Sequence, residues 1–296
     1  VEAGDAAGAI GSAQALLTAG SRTGELFSLL ARAYVQAGRI VEAYDALREA
    51  TRLEPTVEGH YTDLVMICLD HENFDLGIEI LEVGLRALPR SGALQVQRGV
   101  LLMMKGLFAP AEQAFETAQQ LSPENPIPTI ALAMAWMQTG QNLRAVELLR
   151  RRTLVDGKSA ILFHTLGLAL MRAGAAPDDR LGDEAATAFT TAVRLDPSYG
   201  SAHAELGKIL LKRGEVASAI EVLEKAVALE PDEVGPSYAL AQALRRQGQT
   251  ARAQELLARV SRLNARERGD EPDGDLKRLV LRVVRDGAAA RPRTMP

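Results

Sequence analysis

Five prolines set the frame. Pro55, Pro89, Pro123, Pro197 and Pro231 lie in the strings LEPTV, ALPRS, LSPEN, LDPSY and LEPDE, and successive prolines are 34, 34, 74 and 34 residues apart. The long interval holds two periods of 34 with six residues over. A period of this length marks a stack of supersecondary units, each too small to bury its own apolar face. Aligned on the prolines, the chain divides into seven units: 24–57, 58–91, 92–125, 126–159, 160–199, 200–233 and 234–267.

Other columns then fall into place. Column 15 reads Gly38, Glu72, Gly106, Gly140, Gly174, Gly214 and Gly248. Column 20 is Ala43, Gly77, Ala111, Ala145, Ala185, Ala219 and Ala253, and column 24 is Leu47, Leu81, Phe115, Leu149, Phe189, Leu223 and Leu257. Column 27 is Ala50, Gly84, Ala118, Arg152, Ala192, Ala226 and Val260. Apolar residues recur three and four apart, a helix period. Glycine at column 15 suits the left-handed cap that ends a helix. Small residues at 20 and 27 let two helices approach, with column 24 filling the space between them. Each unit therefore reads as a helical hairpin that stacks on its neighbours.

This pattern resembles the tetratricopeptide repeat family, whose 34-residue signature carries Ala at 20, an aromatic residue or Leu at 24, Ala at 27 and Pro at 32. The likeness covers residues 24–267. It implies an all-α, right-handed superhelical solenoid in which the first helix of each unit lines a concave groove, and a role in binding proteins. Unit four departs from the pattern, with Arg152 for Ala and Gly157 for Pro. Unit seven ends in Asn264-Ala265, and unit two has Glu72 for Gly, where Asn73 is read as supplying the cap.

The flanks are short. Residues 1–23 hold one helix, about 5–19, with Ala9, Ala13 and Leu16 at second-helix columns, which reads as a partial repeat of a trimmed or processed chain. Residues 268–286 read as a turn-rich linker and a capping helix at 276–286 with Leu276, Leu279, Val280, Val283 and Val284 apolar; the tail 287–296 is expected to be disordered. The six extra residues of unit five, Ala175–Arg180, are expected to form a surface loop tolerant of deletion.

No flank is long enough for a catalytic domain, and the chain carries no phosphate-binding Gly-rich motif, no Gly-x-Ser-x-Gly and no paired Cys or His at metal spacing. The expectation is a protein that is not an enzyme and needs no cofactor or metal. Cys68, the single cysteine, reads as a buried thiol at a packing column. His203 reads as a packed or rim side chain, and Asp178, Asp179, Asp183 and Glu184 as a solvated loop with acids at a helix N-terminus. The net charge of -4 gives no bulk attraction to nucleic acid or an anionic membrane. No apolar run approaches a membrane span and no signal peptide is visible, so the chain is read as soluble, cytoplasmic or periplasmic. The excess of arginine over lysine fits a GC-rich, bacterial coding sequence.

The family likeness places groove-facing side chains at columns 2, 5, 6, 9, 12 and 13. Six of the seven methionines fall there: Met66, Met103, Met104, Met134, Met137 and Met171, with Val96, Val100, Ile127 and Ile130 among them. Methionine is flexible and polarizable and suits surfaces that accept varied apolar shapes. The groove columns of the first two units hold Asp63 and Asp70. Those of the last three hold His164, Arg172, Lys208, Lys212, Arg245 and Arg246. This set reads as a Met-rich apolar strip with a basic end, suited to a protein or peptide partner that is apolar with an acidic flank. The family's clamp for chaperone C-termini needs asparagines in groove columns, and none is there. The leading reading is a scaffold that holds a helix or peptide of a partner in this groove. The alternative is an assembly module that self-associates through its open ends. Nucleic-acid binding is disfavoured by the net charge and by the lack of a polar code at the groove columns.

Overall fold

The computed structural model describes residues 6–267, and among these the chain is all-helical, with no strand. The linker, the capping helix read at 276–286 and the tail lie outside the described residues. The fifteen helices are α1 (Ala6–Thr18), α2 (Gly24–Gln36), α3 (Ile40–Leu53), α4 (Glu58–Asp70), α5 (Phe74–Ala87), α6 (Gly92–Met104), α7 (Phe108–Leu121), α8 (Pro126–Gln138), α9 (Asn142–Val155), α10 (Ala160–Arg172), α11 (Arg180–Leu195), α12 (Gly200–Lys212), α13 (Val216–Leu229), α14 (Val234–Arg246) and α15 (Thr250–Glu267). From α2 onward, even-numbered helices open a unit and odd-numbered ones close it, so the fold is an all-α solenoid of hairpins. The described residues form two compact units, 6–131 and 132–267, and the division falls inside α8.

The turn inside each hairpin is set by column 15. Six glycines there have φ between 70° and 98°, from Gly38 to Gly174. The following N–H reaches back to close the helix end, as in Arg39 N–H to the Tyr34 carbonyl at 2.8 Å. Unit two uses the same geometry with glutamate: Glu72 has φ 54°, and the Asn73 N–H bonds the Cys68 carbonyl at 2.8 Å. Asn73 is therefore not the substitute for glycine. Its side chain caps the next helix by accepting from the Leu76 N–H at 3.4 Å. A Cβ in the left-handed region costs roughly 1–2 kcal/mol. Glu72→Gly is expected to raise stability by about 1 kcal/mol; a variant that melts at or below the wild-type temperature would contradict this.

In residues 6–131 the hairpin contacts follow the columns. Ala43, Ala50, Leu81, Ala111, Phe115 and Ala118 are wholly buried. Column 8, which carries no obvious signature, proves to be a contact point. A Cβ on Gly99 would overlap the Phe115 ring. Unit one is stitched at its ends by Glu54, whose Oε1 accepts from the Gly24 N–H at 2.8 Å and whose Oε2 meets His60 Nε2 at 3.3 Å. The Gly24 amide and then His60 hold the Glu54 carboxyl below the usual carboxylate range. In α1, Ile10 and Ala13 are buried, whereas Leu16 is 52% exposed and does not take the packing role its column suggests. That column packs against the first helix of its own unit, and no such helix precedes α1 among the described residues.

In residues 132–267 the same rules hold. Ala145, Leu149, Ala185, Phe189, Ala192, Ala219, Leu223, Ala226 and Ala253 are fully buried. Added Cβ atoms on Gly167 and Gly207 would lie 2.6 Å from Phe189 and 2.5 Å from Leu223. His203 is buried, and its Nε2 donates to the Pro197 carbonyl at 3.0 Å. Tyr61, at the same column in unit two, makes the equivalent bond to the Pro55 carbonyl at 3.0 Å. Two unlike side chains thus perform one task, tying the start of a first helix to the proline before it.

The extra residues of unit five lie between α10 and α11, with Asp178 exposed and Pro177 half-buried. The loop is not slack. Asp179 accepts from the Ala176 N–H at 3.0 Å and from the Gly182 N–H at 2.7 Å, and these bonds lower its pKa. Arg213, at the C-terminal cap of α12, donates to the Pro177 carbonyl and to Asp183, each at 2.7 Å. A Cβ on Gly182 would overlap the Ala176 carbonyl oxygen. Tolerance of deletion does not follow from this geometry, because removing the loop takes away the Pro177 carbonyl from Arg213 and the Ala176 N–H from Asp179.

Candidate functional site

The groove columns are presented by the first helices, and their exposure varies along the chain. In column 9, Arg32 is exposed, Met66 half-buried, Val100 and Met134 buried, Leu168 and Lys208 half-buried, and Gln242 exposed. Column 5 is buried from Ser28 to Ala204, and only Tyr238, at 50%, emerges. Columns 5, 9 and 12 share one helix ridge, because spacings of four and three return to the same side. In the middle units this ridge carries apolar side chains that turn into the protein. At the ends it carries long charged or polar ones that keep their heads in water.

The Met-rich strip is corrected by this pattern. Met103, Met134 and Met137 are 4%, 1% and 7% exposed, and Val96, Val100, Ile127, Ile130 and His164 are buried with them. These side chains are core packing and offer no surface to a ligand. His164 contacts Tyr199 through Nδ1 at 3.1 Å, and its ring packs at 5.6 Å from that of Phe189. What stays accessible is narrower. In residues 6–131 it is Met66 and Met104, half-buried. In residues 132–267 it is half-buried Met171 and Lys208 with exposed Arg172, Lys212, Arg245 and Arg246. Two apolar residues missing from the sequence reading belong with the first group: Leu29 and Val35 on α2 are 41% and 42% exposed. They occupy columns 6 and 12, so the signal was present in the frame.

The basic residues are held in place. The Arg246 guanidinium donates to the Leu211 carbonyl at 2.7 Å, and that of Arg172 to the Met137 carbonyl at 3.5 Å. Both reach back to the C-terminal turn of the preceding first helix, where a cation complements the helix dipole. Lys208 pairs with Glu205 at 2.6 Å. Arg172, Lys212 and Arg246 share column 13, the one groove column that no described unit buries fully.

Other reactive types are accounted for structurally. Cys68 is 2% exposed, and burial pushes its thiol up to about 11, so it is not poised as a nucleophile. Asp179 caps α11, Asp183 pairs with Arg213 and Glu184 with Arg150. Among the described residues no group of three His, Cys, Asp or Glu is placed to hold a metal ion, and no helix is long and apolar enough to cross a membrane.

Comparison with known proteins matches the repeats directly. Tetratricopeptide repeat models match residues 1–57, 170–234 and 210–269, together just over half of the chain. A search of curated proteins finds no match. Among solved structures, yeast Tom70 is similar with a TM-score of 0.68 at 17% identity, over 98% of this chain and 60% of that one. The APC/C hetero-tetramer Cut9–Hcn1 gives a TM-score of 0.63 at 17% identity, over 88% of this chain and 49% of that one. A tetratricopeptide repeat protein from Parabacteroides merdae gives 0.58 at 15% identity, over 88% and 98%. At these identities the likeness is one of fold. With the columns, the hairpins and the model matches in agreement, the chain is a member of the tetratricopeptide repeat family.

Proposed function

We propose that this protein is a non-enzymatic scaffold that holds an acidic, partly apolar segment of a partner protein against the first-helix face of residues 132–267. Membership of a protein-binding repeat family supports a scaffold in general. The observation that carries the finer reading is the row of cations on α10, α12 and α14. Arg172, Lys212, Arg245 and Arg246 are all exposed, and half-buried Lys208 on α12 pairs with Glu205. Met171 and Tyr238 supply accessible apolar surface on the same helices. Guanidinium groups fixed by helix-end carbonyls are pre-oriented for carboxylates, which lowers the ordering cost of binding. The accessible residues of the Met-rich reading in residues 6–131, Met66 and Met104, are a separate apolar contribution to partner binding in this proposal.

The test is fluorescence anisotropy with a set of synthetic peptides graded in Asp and Glu content. Acidic peptides with interspersed leucine are expected to bind, and binding is expected to weaken as salt rises. The charge reversal of Lys212, Arg245 and Arg246 to glutamate is expected to weaken binding by about a hundredfold or more, a loss of roughly 3 kcal/mol or more. Each side chain is exposed, so the fold should survive, with a stability loss of about 1–2 kcal/mol from the Arg246–Leu211 bond and the helix-end charges. Affinity that is indifferent to peptide charge, or that survives the triple reversal, would sink the proposal.

A further inference from the structure

We infer that α9 is a homodimerisation helix, pairing antiparallel with α9 of a second copy of this chain. Its outer face carries three exposed large apolar residues, where α3 carries one, Val41 at 73%, in the column of Leu143. Leu143, Leu154 and Val155 are 70%, 88% and 75% exposed. At the column of Leu154 the other units carry Arg52, Arg86, Gln120, Arg194, Ala228 and Arg262. Val155 takes the column where Leu53, Leu121 and Leu195 are half-buried in their own units. Unit four therefore places a large apolar side chain, Leu154, where most other units carry a polar one, and leaves Val155 uncovered in a column that is half-buried in most other units.

Leu143, Glu147, Arg150 and Leu154 form one ridge. At about 100° per residue they fall within about 60° of arc, on the side away from the buried Ala145 and Leu149. Leu143 and Leu154 are separated by about 16 Å along the axis. Read from its two ends, the ridge is self-complementary. When a second α9 lies across it in the opposite direction, Leu143 of each copy meets Leu154 of the other. At the centre, Glu147 of each copy meets Arg150 of the other. A two-fold interface requires this property, since the same patch must satisfy itself. Within one chain, Glu147 already pairs with Arg151, and Arg150 with Glu184 at 2.5 Å, so both central charges are held in place. The self-complementary order of Leu143, Glu147, Arg150 and Leu154 selects a second copy as the occupant, and the lipid alternative is read out in the test below. Two 14-residue helices bury less than the roughly 1,600 Å² of a standard interface, so the dimer is weak. This inference rests on α9 alone and is independent of the acidic-partner reading.

Sedimentation equilibrium over a dilution series tests it. The wild type is expected to pass from monomer to dimer in the micromolar range. Leu143→Ser with Leu154→Ser is expected to raise the midpoint about tenfold or more, with an unchanged thermal melt. Glu147→Arg and Arg150→Glu place like charges in contact, so each alone is expected to be monomeric. Mixed, the two variants are expected to dimerise, because the all-basic centre of one then faces the all-acidic centre of the other. A wild type that stays monomeric throughout overturns the inference. So does a dimer that ignores the leucine pair, or a mixture of two folded charge variants that fails to associate. Flotation of a monomeric wild type with phosphatidylglycerol vesicles, lost on Leu143→Ser with Leu154→Ser, would assign the ridge to a lipid surface instead.

Discussion

Phe189→Ala is expected to lower stability by about 3–5 kcal/mol, the usual cost of emptying a buried phenylalanine site. Phe189 is wholly buried at column 24 and sits against Gly167 and the ring of His164. Gly167→Ala supplies the converse. Its Cβ would lie 2.6 Å from the Phe189 ring, too close for any real contact, so overpacking should cost about 1–3 kcal/mol. The two changes share one space and should therefore not add. In the Phe189→Ala background, Gly167→Ala is expected to be nearly neutral or stabilising. Urea denaturation of the four chains of this cycle gives the coupling directly. If the two costs prove additive within about 0.5 kcal/mol, the column 8 to column 24 contact is not the constraint described here.

Met103→Glu is expected to abolish folding of its hairpin, whereas Met104→Glu is expected to change stability by about 1 kcal/mol or less. The two methionines are adjacent in LLMMKG, at the end of α6. Met103 is 4% exposed and Met104 is half-buried. A glutamate at 103 would bury a charge for which the site was not built, at a cost of several kcal/mol. At 104 the carboxylate can reach water. Thermal melts of the two single variants decide this without any ligand. If Met103→Glu melts like the wild type, Met103 is surface after all and the apolar strip regains its central member.

These two sites show where sequence reasoning was sufficient and where it stopped. The period of 34, the columns of small residues and the turn glycines were legible, because each reflects a local requirement: a left-handed cap, a close helix crossing, a filled gap. The same is true of the buried Cys68 and of the bonded acids around α11. The column 8 glycines escaped notice because column 8 mixes glycine with alanine and valine, and only the distance to column 24 shows which are indispensable. Glu72 misled in another way. A residue that can cap was assumed to do so in place of glycine, while the backbone simply forced the glutamate into the left-handed region.

The sequence by itself determined that this chain is a stack of helical hairpins, and it places cations on the first helices of its later part. Periodicity and turn chemistry act over a few residues, and so are written in the order of the chain. Which members of a column are core and which are surface was decided only by tertiary packing. Met134 and Gln242 share column 9, yet one is wholly buried and the other exposed. Leu154 occupies the column of Arg194 and is 88% exposed. Exposure depends on what neighbouring helices place around a side chain, and that is a property of the stack, not of the repeat.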